Sequence, residues 1–392
     1  MDWPLYIRLS LMMFLQFAVW GAWSPVLAAR LLGPLKMSGK QTGWIYGTIY
    51  IGCIVAPLIA GQIVDRWIAT QWFLAAAHLA GGVLLLAAAR KRMFGGLFVV
   101  MCLYALAFAP TLALVNSLMF RHLKDPANEA FGVMVWGVIA WVLVGWLLAA
   151  WRRVKGSGEG ADCLMLAGVL SLVLSLYCLT LPDTPPAGGK WPIVDALSML
   201  AQPNFLLFLL VGFVLATQLQ FYFLGTAPYL GDLGVQDKNV PAVMTIAQAA
   251  QVLASAFMAF YGTQVLARLG YRWTLVIGVM MWLVMYLLYA MMRPRMLVIA
   301  SQSLHGLAYA FFIGVGYVYV AKVSPENILG SAQGLYTVAL FGFGFFLGTQ
   351  FTGMVMDRFK TPEGKFRWRP IYLVPCVLAL ACAAVLAALF RG

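Results

Sequence analysis

Long apolar stretches recur along the chain, each closed by a short cluster of charged or turn-forming residues. A helix that crosses a bilayer needs about 20 predominantly apolar residues. By that length the pattern predicts about twelve spans: 6–32, 42–64, 68–89, 94–120, 129–151 and 161–181, then 203–230, 240–267, 272–292, 296–322, 328–356 and 370–390. Half of them fall on each side of Pro182–Gln202, the longest interval without an unbroken apolar run. Pro182, Pro185, Pro186 and Pro192, with the Gly188-Gly189 pair, forbid a continuous helix across the first part of that interval. The expected architecture is an all-α polytopic membrane protein of two pseudo-symmetric six-helix halves, residues 1–181 and 203–392, joined by a connector over 182–202.

Composition sharpens this picture. The chain of 392 residues is 63% hydrophobic and 10% charged, with a mean hydropathy of +0.88. Soluble domains carry about 25% charged residues, so lipid must be the solvent for most of this surface. The net charge of +13 would point to nucleic acid in a soluble protein. Here the basic residues gather at the ends of spans (Arg90, Lys91 and Arg92; Arg152, Arg153 and Lys155; Arg367 and Arg369). Lipid headgroups are the partners that fit that placement, and nucleic acid is excluded. The six cysteines lie in or beside apolar runs without a CxxC pair and read as packing residues. The apolar run from Leu9 to Leu32 follows Arg8 but is too long for a signal peptide, so it reads as the first span.

The acidic residues narrow the chemistry. Asp65, Asp125, Glu129, Glu159, Asp162, Asp183, Asp195, Asp232, Asp237, Glu326, Asp357 and Glu363 all fall at or beyond the ends of spans, and Asp2 precedes the first. A charge at the bilayer centre costs at least about 2.5 kcal/mol, so buried acids mark coupling or ligand sites. Their absence removes the usual proton or sodium site and disfavours a cationic substrate. No Lys or Arg lies mid-span to receive an anion. No Walker loop, metal-ligand cluster or nucleophile constellation occurs, which excludes an enzyme and implies no cofactor or metal.

His78 and His305 are the ionisable side chains well inside spans. His78 reads as a hydrogen-bonded structural residue. His305, one turn before Tyr309, is the candidate proton carrier, since histidine titrates near neutral pH. Uncharged polar and aromatic residues are plentiful. Gln16, Trp20 and Trp23 follow one face of the first span at helical spacing. Thr111 and Asn116 lie in the fourth span, Gln218, Gln220 and Tyr222 in the seventh, and His305 and Tyr309 in the tenth. Gly225 and Pro228 are expected to break the seventh helix beyond them. Amides offer donors and acceptors together, and rings offer flat stacking surfaces. This candidate lining, expected between the halves near mid-membrane, suits a small neutral solute such as a nucleoside, or a sugar.

Gly61 to Asp65-Arg66 closes the second span with a Gly-x3-Asp-Arg run. A Gly-to-Arg echo follows the eighth span (Gly262, Arg268, Arg272), and Gly353 to Asp357-Arg358 repeats the form at the end of the eleventh. The run resembles the loop signature of the major facilitator superfamily. That resemblance implies a conformational gate in which Asp and Arg pair across helix ends, here drawn from Gly61, Asp65, Arg66, Arg268, Asp357 and Arg358.

Three further segments, LQFAVWGAW (Leu15 to Trp23), APTLALVNS (Ala109 to Ser117) and KVSPENILGSAQGLY (Lys322 to Tyr336), resemble the nucleoside/proton symporter family within that superfamily. The resemblance implies a monomeric, multi-pass permease of the bacterial inner membrane working by alternating access. Gln220 falls on the family's glutamine of the seventh helix, and Thr111 and Asn116 on its polar positions of the fourth. Both termini and the connector would be cytoplasmic. That assignment leaves about 9 of the 26 Lys and Arg inside and about 17 outside, against the positive-inside rule. The family's arginine before the Trp136-Gly137 pair falls here on Met134-Val135. Its acidic and amide positions of the tenth helix fall on Tyr309, Phe312 and Val320, and its arginine before SAQG falls near Ile328. The expected activity is therefore nucleoside transport, either facilitative or coupled to protons through His305. A permease for a sugar or other neutral metabolite, or a membrane sensor of the same fold, are the other readings.

Overall fold

The structure, a computed structural model of the chain, describes residues 2–32, 34–37, 39–155, 160–188, 191–235, 240–362 and 365–391. The sequence readings at Glu159, Gly189, Lys190, Asp237 and Glu363 lie outside the described residues. Lipid offers no hydrogen-bond partner, so every crossing segment must satisfy its own backbone. The described chain accordingly forms helices: α1 Trp3–Trp23, α2 Leu27–Leu32, α3 Gly39–Arg66, α4 Thr70–Ala89, α5 Phe94–His122, α6 Pro126–Lys155, α7 Asp162–Cys178, α8 Pro192–Ser198, α9 Pro203–Asp232, α10 Val240–Met291, α11 Arg295–Tyr309, α12 Val315–Val323, α13 Leu329–Thr337, α14 Phe345–Arg358 and α15 Trp368–Leu389. One isolated bridge, Lys360 to Phe366, is the sole β-type pairing among the described residues.

Among the described residues ten helical stretches are long and apolar enough to cross a membrane. One of them, α10, holds two crossings, because Gly270 leaves helical geometry at φ 67°, ψ 174°. That left-handed φ favours glycine, and it turns the chain between the expected eighth and ninth spans. Adding the 17-residue α7 brings the crossings to twelve.

The remaining differences from the sequence reading have local causes. The first span ends at Trp23 and resumes at Leu27; Pro25 has no backbone N–H to continue the ladder. The expected break at Gly225 and Pro228 does not occur, and α9 runs unbroken to Asp232. A proline inside a membrane helix forfeits one hydrogen bond but is tolerated where neighbours pack around it. The missing side chain of Gly225 leaves room for the Tyr372 hydroxyl, 3.0 Å from where a Cβ would lie. The tenth and eleventh spans are each interrupted by a wider π-helical turn, Ala310–Gly314 and Val338–Gly344.

The chain packs as two units, Met1–Leu197 with Val323–Val338, and Ser198–Lys322 with Ala339–Gly392. In the first, α1 lies against α6 and α7, α4 against α5 and α7, and α13 against α3 and α5. In the second, α10 lies against α11 and α15, and α9 against α14 and α15. The six cysteines are free thiols; Cys102 is half-buried and the others are buried. Large apolar side chains such as Trp72, Leu176, Leu253, Phe260 and Val377 face outward, as lipid contact requires.

Candidate functional site

In the first unit the polar centre is built by four helices. Gln16 of α1 is wholly buried. Its Nε2 donates to Thr111 Oγ1 of α5 at 2.8 Å, and its Oε1 lies 2.8 Å from His78 Nε2 of α4. Thr111 gives its one hydroxyl proton to the Phe108 carbonyl at 2.6 Å, so it can only accept from Gln16. The amide is thereby oriented, nitrogen to Thr111 and oxygen to His78, and His78 Nε2 must be the donor. Ser171 Oγ of α7 donates to the His78 carbonyl at 2.8 Å and lies 3.4 Å from His78 Nδ1. His78 thus donates from Nε2 to Gln16 and accepts from Ser171 at its own carbonyl, while Nδ1 faces the Ser171 oxygen.

The aromatic positions of α1 extend this centre. The Trp20 ring meets Phe108 and Trp141 edge-on, at 6.2 and 5.6 Å. Trp23 Nε1 donates to the Tyr104 hydroxyl at 3.3 Å, which places it one turn beyond. Asn116 turns back on its own helix, Nδ2 to the Leu112 carbonyl at 2.9 Å.

In the second unit Gln218 and Tyr222 lie one turn apart on α9, and the Tyr286 hydroxyl of α10 donates to the Gln218 carbonyl at 3.0 Å. The Tyr222 and His305 rings stack at 3.7 Å and 15°. His305 Nδ1 accepts the Trp282 indole N–H at 3.3 Å, and the Tyr309 ring follows at 6.2 Å. Gln218 is wholly buried, yet neither its side-chain nitrogen nor its oxygen has a hydrogen-bond partner, and the Tyr222 hydroxyl has none either. Each such group costs about 1–3 kcal/mol when buried unpaired; Trp20 Nε1, Gln220 Nε2 and Gln248 Oε1 are among the other buried atoms in that state. Gln220 points the other way, two residues being about 200° of helix. Its side-chain oxygen lies 3.2 Å from the Thr349 hydroxyl of α14, which also reaches the Phe345 carbonyl at 2.8 Å.

The Gly61–Asp65 run forms a second site in the first unit. A Cβ on Gly61 would lie 2.7 Å from the Ser331 Cα, so glycine lets α13 approach α3 backbone to backbone. One turn later, the buried Asp65 carboxylate meets the start of α13. The N–H groups of Gly330 and Ser331 donate to Oδ1 and Oδ2 at 3.3 and 2.8 Å, and the Ser331 hydroxyl donates to Oδ2 at 3.0 Å. These are among the amides that a helix cannot bond internally, and the helix N-terminus favours negative charge. Arg121 at the end of α5 pairs with Oδ1 at 2.6 Å and holds the connector through the Pro185 carbonyl at 3.1 Å.

The residues expected at the gate do not come together as one cluster among the described residues. Asp65 pairs with Arg121, not with Arg66, whose guanidinium lies over the Trp67 and Trp191 rings at 5.1 Å. Arg268, Asp357 and Arg358 are exposed and form no ion pair among the described residues. The second-unit echo has no acid beside its glycine, so the arrangement is not duplicated there. The sequence reading missed Arg121, Gly330 and Ser331 as partners of Asp65, although the last two lie in the KVSPENILGSAQGLY segment it singled out. It also missed Trp282 and Ser171, which no motif marks. Among the described residues no group of three or more His, Cys, Asp or Glu could hold a metal ion.

Comparison with known proteins supplies the context for these two centres. The sequence profile described as Nucleoside H+ symporter matches residues 4–392. YegT of Escherichia coli is 30% identical, over 98% of this chain and 93% of its own length. Nucleoside permease NupG of Escherichia coli is 25% identical, over 99% and 96%, and the xanthosine permease of the same organism 28%, over 97% and 94%. The crystal structure of NupG superposes with a TM-score of 0.71, covering 100% of both chains at 25% identity. The proton:xylose symporter XylE, at 13% identity and a TM-score of 0.71 over 100% of this chain and 97% of its own, shares the major facilitator fold.

Proposed function

The chain belongs to the nucleoside H+ symporter family, a family of multi-pass transporters of the bacterial inner membrane, and on that premise we propose that it carries nucleosides by alternating access. The observation that carries this reading is Gln218, a buried amide with both ends unpaired, one turn from the Tyr222 ring stacked on His305. A nucleobase needs this combination: donors and acceptors for its edge, and a flat ring for its face. The uncharged centre around Gln16, Trp20 and Thr111 supports a neutral solute. The names of NupG and the xanthosine permease support a nucleoside over a sugar. Asp65, with Arg121 and the start of α13, is the gate that stabilises one closed state, and proton coupling belongs to the same reading.

The test is uptake of labelled uridine into proteoliposomes. Gln218→Leu is expected to lower uptake at low substrate by about tenfold, the value of one to two hydrogen bonds. Its thermal stability should be unchanged or raised, because an unpaired buried amide gives way to an apolar group of similar size. Wild-type uptake of Gln218→Leu would remove the amide from the site. Competition by sugars and not by nucleosides would replace the substrate class.

A further inference from the structure

We propose that His78 is the proton-binding group of this transporter, an inference that rests on the transport reading above. Both ring nitrogens of His78 face oxygens that have no proton to give. Gln16 Oε1 is a carbonyl oxygen 2.8 Å from Nε2. Ser171 Oγ, 3.4 Å from Nδ1, has its only proton in the bond to the His78 carbonyl. A neutral imidazole carries one N–H and can serve one of two acceptors. Nε2 carries it, which leaves the Nδ1 lone pair opposite an oxygen lone pair. One added proton turns that opposition into an N–H···O bond, and both acceptors are then served.

His305 is wired the other way. Its Nδ1 already accepts from the Trp282 indole, a group that can only donate. A proton added there would set two donors against each other. Of the two mid-span histidines, His78 is the one whose partners gain from protonation.

The helices packed on α4 bring no charge to the ring. α1 presents Gln16, with Arg8 two turns nearer its start. α5 presents Phe108, Thr111 and the titratable Tyr104, whose hydroxyl accepts from Trp23; Arg121 and His122 lie at its far end. α7 presents Ser171 and Ser175, with Asp162 at its start and Cys178 at its end. α4 itself carries no other ionisable side chain between Thr70 and Ala89. An uncompensated charge at this depth is expensive. The proton is therefore held while water reaches the network and is returned when the network closes. That dependence on conformation is what coupling to a transport cycle needs. Gln16 links proton and solute, since its oxygen faces His78 while its nitrogen faces Thr111, and Gln16 and Thr111 belong to the proposed lining. The step itself is a single protonation: the Nδ1 lone pair takes H+ from water and forms an N–H bond, and no other covalent bond changes.

The experiment uses the full chain in lipid with ¹⁵N-labelled histidine. The chain has 3 histidines, and the spectrum of His78→Gln identifies the signals of His78 by their loss. The expected result is one bare ring nitrogen at about pH 8 and two protonated nitrogens at about pH 5, reversibly. Ser171→Ala, which removes the Nδ1 acceptor, should move that transition about half a pH unit lower or more. A ring that keeps one bare nitrogen throughout overturns the proposal. In proteoliposomes, an imposed pH gradient should raise wild-type uridine accumulation about tenfold or more. His78→Gln should exchange uridine with no response to the gradient. A wild type that ignores the gradient, or a His78→Gln protein that still responds, also overturns it. Absence of any uridine flux would instead refute the substrate reading, with the spectroscopic result standing by itself.

Discussion

Asp65→Asn is expected to loosen the junction of α3, α5 and α13 by about 3–5 kcal/mol, the usual cost of removing one partner from a buried ion pair. The Asp65 side chain is wholly buried and that of Arg121 is 13% exposed, so the remaining guanidinium would have little water to turn to. The loss goes beyond the pair. Asp65 accepts from the Gly330 and Ser331 amides and the Ser331 hydroxyl as well, and an asparagine NH₂ would face donors with a donor. Both amides lie in the first turn of α13, where no intrahelical acceptor exists. Hydrogen exchange at Gly330 and Ser331 should therefore rise by about 10²- to 10³-fold in Asp65→Asn. Unchanged exchange there would mean that the carboxylate does not hold this helix end. Arg66→Ala, by contrast, removes only exposed stacking on Trp67 and Trp191 and should leave exchange at these amides as it was.

The second large effect is steric. A Cβ on Gly306 would lie 1.9 Å from the Ala247 carbonyl oxygen and 2.6 Å from the Gln251 nitrogen. Both are backbone atoms of α10, so no rotamer relieves the clash. Overpacking costs about 1–3 kcal/mol where side chains can give way, and more where they cannot. Gly306→Ala is expected to cost at least about 3 kcal/mol in thermal unfolding of the purified protein. It should also carry His305, the adjoining residue, away from the Tyr222 ring. Uridine uptake should fall with it, even in protein that folds at low temperature. Ala247→Gly should not rescue the variant, because the obstructing atom is a main-chain oxygen. A Gly306→Ala protein with wild-type stability and uptake would mean that α10 and α11 do not cross at this distance.

The first effect sits at a point that the sequence marked without explaining, whereas no motif marks Gly306. The Gly-x3-Asp spacing places Gly61 and Asp65 on one face, one turn apart, and that much is periodicity. The partner of Asp65 was not legible, because the adjacent Arg66 satisfies the motif and the true partner, Arg121, lies 56 residues on. Sequence distance carries no information about which helix ends meet. The candidate lining divides in the same way. Gln16, Trp20 and Trp23 were placed together by helical spacing. Gln218 and Gln220, two residues apart, point to different helices, and only packing against α14 shows that Gln220 meets Thr349. The expected break at Pro228 failed because a local rule about proline was applied where neighbouring helices, and the gap above Gly225, decide the outcome.

The amino-acid pattern alone determined that this chain crosses a membrane about twelve times and brings no carboxylate to mid-depth. Lipid imposes both, since it accepts neither an unpaired backbone nor an unpaired charge. The tertiary structure decided which way the hydrogen bonds run. The proton on Thr111 points to Phe108, which turns the amide of Gln16 and thereby fixes the donor nitrogen of His78. The direction of such a chain is set by partners on separate helices at once, and no reading of one helix at a time contains it.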